Sequence, residues 1–156
     1  MNKRKSYTVA EAQKKLEYYC AYQERCHLEV VTKLKTLGMI SSVVDKIVSD
    51  LIKANYLNET RFTQSFVRGK FRIKKWGKNR ILRELKIREI SSYNINLGMK
   101  EISELDYHST FYSLFEKRKQ AVSKDSIVVQ KKKILTFMVY RGWETSLVYS
   151  ALNENF

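Results

Sequence analysis

The chain has 156 residues, enough for one ordinary domain with a buried core, and carries 30 Lys or Arg against 16 Asp or Glu. Its net charge of +14 points to nucleic acid, or an assembly that carries it, with an acidic membrane surface as the weaker partner. No apolar run approaches the roughly 18 residues that span a bilayer, and no signal-peptide core follows the basic start MNKRKSYT, so a cytoplasmic protein is expected.

With no proline and five glycines, the chain has few breakers and reads as almost wholly helical. A capping box, Thr8-Val9-Ala10-Glu11, opens a first helix whose apolar positions include Leu16, Tyr19 and Cys20. Cys20 and Cys26 are six apart, which fits no zinc spacing. Helix burial accounts for both thiols, and no metal is expected. Val30, Leu34 and Leu37 mark a second helix that Gly38 can end. Ser42 then opens a third, with Val43, Ile47, Leu51 and Ile52.

This pattern recurs. Residues 33–42, 84–92 and 137–146 each read as the end of an apolar-periodic helix, a short turn, and hydroxyl residues starting the next helix. A period of about 50 residues predicts an all-α fold of three tandem three-helix repeats, stacked into an elongated, curved molecule. The expected units are 1–57, 58–105 and 106–156, with net charges of +4 (ten basic, six acidic), +7 (twelve, five) and +3 (eight, five). The middle unit is therefore the electrostatic centre, with a secondary basic run at Lys131-Lys132-Lys133.

Most of the middle unit's charge lies between Arg61 and Arg83, which holds nine basic residues and no acidic one, with Glu59 and Glu84 on either side. The candidate binding residues are Arg68, Lys70, Arg72, Lys74, Lys75, Lys78, Arg80 and Arg83. If the stretch before Gly77 is helical, Arg68, Arg72 and Lys75 share one face and Lys70 and Lys74 form an adjoining row. A merely solvated face is the usual reading of a basic helix. Nine cations that repel one another and forgo salt bridges favour a polyanion partner instead. Phe62, Phe66 and Ile73 fit one face and are expected in the core. Trp76 is expected to pack under the turn, the other option being a stack on a base or an arginine. Gly77 is read as a left-handed helix end. The ten tyrosines are expected to be half-buried spacers between units.

Catalytic signals are missing. His27 and His108 lack a companion carboxylate or nucleophile pattern, and no GxxxxGK[ST], HExxH or GxSxG motif is present. No enzyme activity and no cofactor are expected.

The run Tyr56-Leu57-Asn58-Glu59, Arg61-Phe62, Ser65-Phe66-Val67-Arg68, Lys70, Gly77, Arg80-Ile81 and Glu84-Leu85 resembles the RecX family, regulators of the RecA recombinase. Arg25, Glu29-Val30, Lys33-Leu34, Gly38, Leu51 and Tyr56 also fit its pattern. The likeness is strong over 7–90 and looser over 106–156. One departure is Arg88-Glu89-Ile90, standing where the family commonly has Lys-Gly-Ile, so that a glycine-capped turn is lost. The resemblance implies a non-enzymatic, all-helical modulator that binds along the groove of the RecA–DNA filament. It would inhibit ATP hydrolysis, strand exchange and coprotease activity, or promote disassembly. The implied partners are the RecA filament and single-stranded DNA, with double-stranded DNA as a further option, for a monomer that does not engage membranes. Two other readings stay open: a helical module acting directly on single- or double-stranded DNA, and a helical scaffold whose charge only confers solubility.

Overall fold

Hydroxyl and amide side chains start most of the helices. Thr8, Asn58, Ser91, Ser103 and Ser126 each accept a hydrogen bond from a first-turn N–H, and Thr8 and Glu11 complete the expected capping box. In the computed structural model, which describes residues 6–156, these caps open helices in an all-α fold; the basic residues Lys3, Arg4 and Lys5 lie outside the described residues. The first set is α1 (Val9–Tyr22), α2 (His27–Thr36) and α3 (Ser41–Lys53). The second is α4 (Glu59–Arg72), α5 (Lys78–Ile87) and α6 (Ser92–Met99), and the third α7 (Glu104–Ala121), α8 (Ile127–Tyr140) and α9 (Thr145–Asn155). Among the described residues there is no strand.

The repeat is visible in the backbone. After α2, α5 and α8 the chain turns through Gly38, Glu89 and Gly142, with φ of +83°, +58° and +94°. The next N–H closes each turn onto the helix: Met39 to the Leu34 carbonyl at 3.1 Å, Ile90 to Leu85 at 3.2 Å, and Trp143 to Met138 at 3.1 Å. The following helices start at Ser41, Ser92 and Thr145, the first one residue earlier than its sequence suggested. The turn geometry thus survives the loss of glycine at Glu89, and a side-chain-bearing residue adopts the left-handed conformation there.

Two apolar clusters hold the helices. Ala12, Leu16, Cys20, Val30, Leu34, Val44, Ile47 and Leu51 fill the first set by itself. The larger cluster runs without a break through the second and third sets, from Phe62, Val67 and Phe71 to Phe111, Phe115, Trp143 and Leu152. Cys26, the residue before α2, belongs to this second cluster, and so joins the first set to it. Polar ties reinforce that joint: the Arg61 Nε donates to Glu24 Oε1 at 2.6 Å, and Glu59 accepts from the His27 N–H at 3.1 Å.

Several expectations are corrected. Ile73 is 77% exposed rather than core, because α4 ends at Arg72 and Ile73 falls in the turn beyond it. Val67 and Phe71 take the inward positions beside Phe62, while Phe66 packs partly buried against the same cluster. Gly77 has φ −76° and opens α5 as its N-cap; the left-handed residue is Lys75, at φ +58°. The tyrosines do not behave alike: Tyr107 is buried, Tyr19 is half-buried, and Tyr18, Tyr22 and Tyr140 stand exposed. Both histidines have a carboxylate neighbour, Glu59 at 3.7 Å from His27 and Glu104 at 3.6 Å from His108. Neither ring bonds a hydroxyl or thiol among the described residues: the His27 pair ties α2 to α4, the His108 pair spans one turn of α7, and neither supplies a nucleophile.

Candidate nucleic-acid interface

The basic segment is held in place by a lock between two turns. The turn from α4 to α5 lies directly on the turn from α8 to α9. The Gly77 N–H donates to the Arg141 carbonyl at 2.8 Å, the Asn79 N–H to Gly142 at 3.0 Å, and the Trp143 indole N–H to Lys75 at 3.2 Å. A Cβ on Gly77 would come within 2.5 Å of the Gly142 carbonyl group, and one on Gly142 would strike Arg80. Glycine is required at Gly77 for this close approach and not for its backbone angle. Tyr107 sits beneath the lock, accepting from the Lys78 N–H at 3.0 Å and donating to Glu144. Burial, together with that bond to Glu144, pushes its phenol well above the ordinary range.

Five of the segment's nine cations are committed to the fold. Arg61 reaches Glu24 and the Asn55 carbonyl, and Arg68 pairs with Glu101 at 3.3 Å. Lys70 lies over Phe66 and Trp76, 5.4 and 5.0 Å from the ring centroids. Lys78 pairs with Glu104 at 2.9 Å and holds that carboxyl below its usual range. Arg80 lies over both Trp76 and Tyr140, 4.2 and 4.9 Å from their centroids. Trp76 therefore lies between Phe66 on one side and the Arg80 guanidinium on the other, which brings in the arginine stack that the sequence offered as the second option.

The remaining four, Arg72, Lys74, Lys75 and Arg83, are exposed and make no ion pair among the described residues. They do not form the helical stripe that their spacing suggested. Lys74 and Lys75 lie in the turn after α4, where the Lys75 N–H bonds the Phe71 carbonyl at 3.2 Å and the chain reverses. Arg72 ends α4 and Arg83 stands on α5, so the free charges surround the lock rather than run along one helix.

Two further lysines were missed because they lie outside the run or on another helix. Lys117 of α7 joins Lys75, Ser109, Thr110 and Ser113 around a hollow of about 310 Å³. Lys86 accompanies Arg83 and Asn79 along a hollow of about 530 Å³ on α5, and its spacing of three from Arg83 was the available signal. Flexible ammoniums beside hydroxyl groups suit phosphate or carboxylate oxygens. Among the described residues no group of His, Cys, Asp and Glu could hold a metal, and no helix is long and apolar enough to cross a membrane.

Residues 58–99, which contain α4, α5 and α6, match the family model for the RecX second three-helix domain. The chain is 24% identical over 136 residues to a protein of Bacillus mycoides named regulatory protein RecX, covering 87% of this chain and 50% of that one. A regulatory protein RecX of Streptococcus uberis is 29% identical over 143 residues, covering 88% and 52%. The chain thus spans about half the length of these curated relatives. The fold matches the crystal structure of RecX from Lactobacillus salivarius with a TM-score of 0.78 at 20% identity, covering 93% of this chain and 96% of that one. The model match falls on the helices that carry the free cations, and the similarity to proteins named regulatory protein RecX extends over most of this chain, which shares the fold of a RecX crystal structure.

Proposed function

We propose that this protein binds the RecA–DNA filament, along its groove, and inhibits or modulates ATP hydrolysis, strand exchange and coprotease activity in recombination and DNA repair. It acts without catalysis or cofactor, as a cytoplasmic monomer, and its working units are 1–57, 58–105 and 106–156. The observation that carries this reading is the set of exposed, unpaired cations Arg72, Lys74, Lys75 and Arg83 around the turn-on-turn lock, in the segment matching the RecX second domain. A rigid support makes their approach to phosphates, or to carboxylates on a recombinase, cheap in conformational entropy. Arg68, Lys70, Lys78 and Arg80 serve that surface from behind, through their pairs with Glu101, Glu104 and the aromatic rings.

Reversing charge at Arg72, Lys74 and Lys75 to Glu should abolish inhibition of the filament's ATP hydrolysis while leaving the helical circular dichroism unchanged. Full inhibition by this variant would remove the surface from the mechanism. The same four cations also favour a second reading, direct binding to a bare DNA strand, which competition with naked DNA distinguishes.

A further inference from the structure

A hollow of about 410 Å³ opens beside α1 and α2, far in sequence from the basic segment. Lys14, Tyr18 and Tyr22 of α1 follow one another at spacings of four and so share a face, with Lys15 and Tyr19 in the adjoining row. Lys33 of α2 and Arg25 from the connecting turn complete the wall, and no acidic side chain lines it. Tyr18 and Tyr22 are 74% and 72% exposed and make no hydrogen bond or ring contact among the described residues. Behind them the half-buried Tyr19 is fixed by Arg25, whose guanidinium lies 3.7 Å from the ring centroid and donates to the Tyr19 carbonyl at 3.1 Å. Arg25 also faces Glu29 at 3.7 Å, so its charge is partly spent on the fold. Lys14, Lys15 and Lys33 make no ion pair among the described residues.

A single exposed tyrosine needs no explanation. Two of them one turn apart, flanked by ammoniums that pair with no carboxylate among the described residues (Lys14, with Lys15 and Lys33 lying 5.2 and 5.9 Å from the Tyr7 and Tyr19 ring centroids), combine flat aromatic faces with phosphate-seeking charge. That combination is what strand-binding proteins use when they bind without sequence preference. A duplex keeps its base faces stacked and cannot use the rings, and an apolar peptide would leave the lysines without partners.

We propose that this hollow is a second nucleic-acid contact, stacking unpaired bases of a single strand on Tyr18 and Tyr22 while Lys14, Lys15 and Lys33 hold its phosphates. The site goes beyond the regulatory reading and does not depend on it, because its ligand is the strand itself.

The test uses the full chain with two fluorescent oligonucleotides of equal length, one of deoxythymidine and one abasic, at low salt. The parent should bind the thymidine strand at least about fivefold tighter than the abasic strand, the lower end of what stacking contributes per base. Tyr18→Ala/Tyr22→Ala should lose that preference and keep its abasic affinity, while Tyr18→Phe/Tyr22→Phe should retain both. Equal binding of the two strands by the parent would overturn the proposal, as would a preference that survives in the double alanine variant. An unchanged preference in that variant together with weakened filament inhibition would assign the hollow to a protein partner and also overturn it. Failure of the regulatory reading would look different: no filament inhibition, with base preference intact.

Discussion

Glu89 carries a left-handed backbone, at φ +58°, at a position where the other two repeats have Gly38 and Gly142. A side chain there costs about 1–2 kcal/mol relative to a right-handed conformation. Glu89→Gly should therefore stabilise the protein by about 1 kcal/mol, offset in part by the freer unfolded chain. In a chain of this length that raises Tm by about 2–4 °C, which a thermal melt would register; an unchanged or lower Tm would contradict the assignment. A second residue-scale effect concerns pH. Burial holds the Cys26 thiol up at about 12, against an ordinary value of 9.0. The folded chain keeps a proton that the unfolded chain releases, so stability should fall as pH rises from about 9 toward 12. Denaturant melts at pH 8 and pH 10.5 should show this loss, and Cys26→Ser should reduce it. Gly38 could be read from the sequence because it ends an apolar-periodic helix, whereas Gly77 was misread. Its glycine is demanded by a neighbour more than sixty residues away, which no local pattern records.

At the scale of elements, the two turns that pack against each other hold the second and third helix sets around one core. Gly77→Ala should force them apart and cost about 1–3 kcal/mol, as overpacking does. If Gly77→Ala melts like the parent, the lock contributes nothing. Tyr107→Phe tests the layer beneath: it leaves Glu144 and the Lys78 N–H short of a partner and should destabilise by about 1–3 kcal/mol. The helices, the three-turn repeat and Phe62 were legible in the sequence, because capping and periodicity are local. The end of α4 was not. Continuing the 3.6-residue pattern through Ile73 put that residue in the core and Lys74 and Lys75 on a helical stripe. The chain instead reverses at Lys75, whose carbonyl is taken by Trp143 from the far end of the sequence.

For the whole molecule, the charge of +14 overstates what is available to a partner. Five of the nine cations in the basic segment are bound up in carboxylates and rings, which the density of charge alone did not reveal. Salt dependence measures the rest. Each phosphate contact on a single strand contributes about 0.7 to the slope of log K against log salt. Arg72→Gln should flatten that slope by about 0.7, whereas Arg68→Gln, already paired with Glu101, should change it little. Equal flattening by the two variants would mean that the division into free and committed cations is wrong.

The central claim is that the filament, and not bare DNA, is the target. DNA-dependent ATP hydrolysis by the cognate RecA filament, titrated with this protein at physiological salt, tests it most directly. Each point is paired with a fluorescence reading of the protein on the same single strand without RecA. Inhibition well below the concentration that coats naked DNA is the predicted result; inhibition that begins only once the bare strand is saturated would contradict it and leave simple competition for DNA.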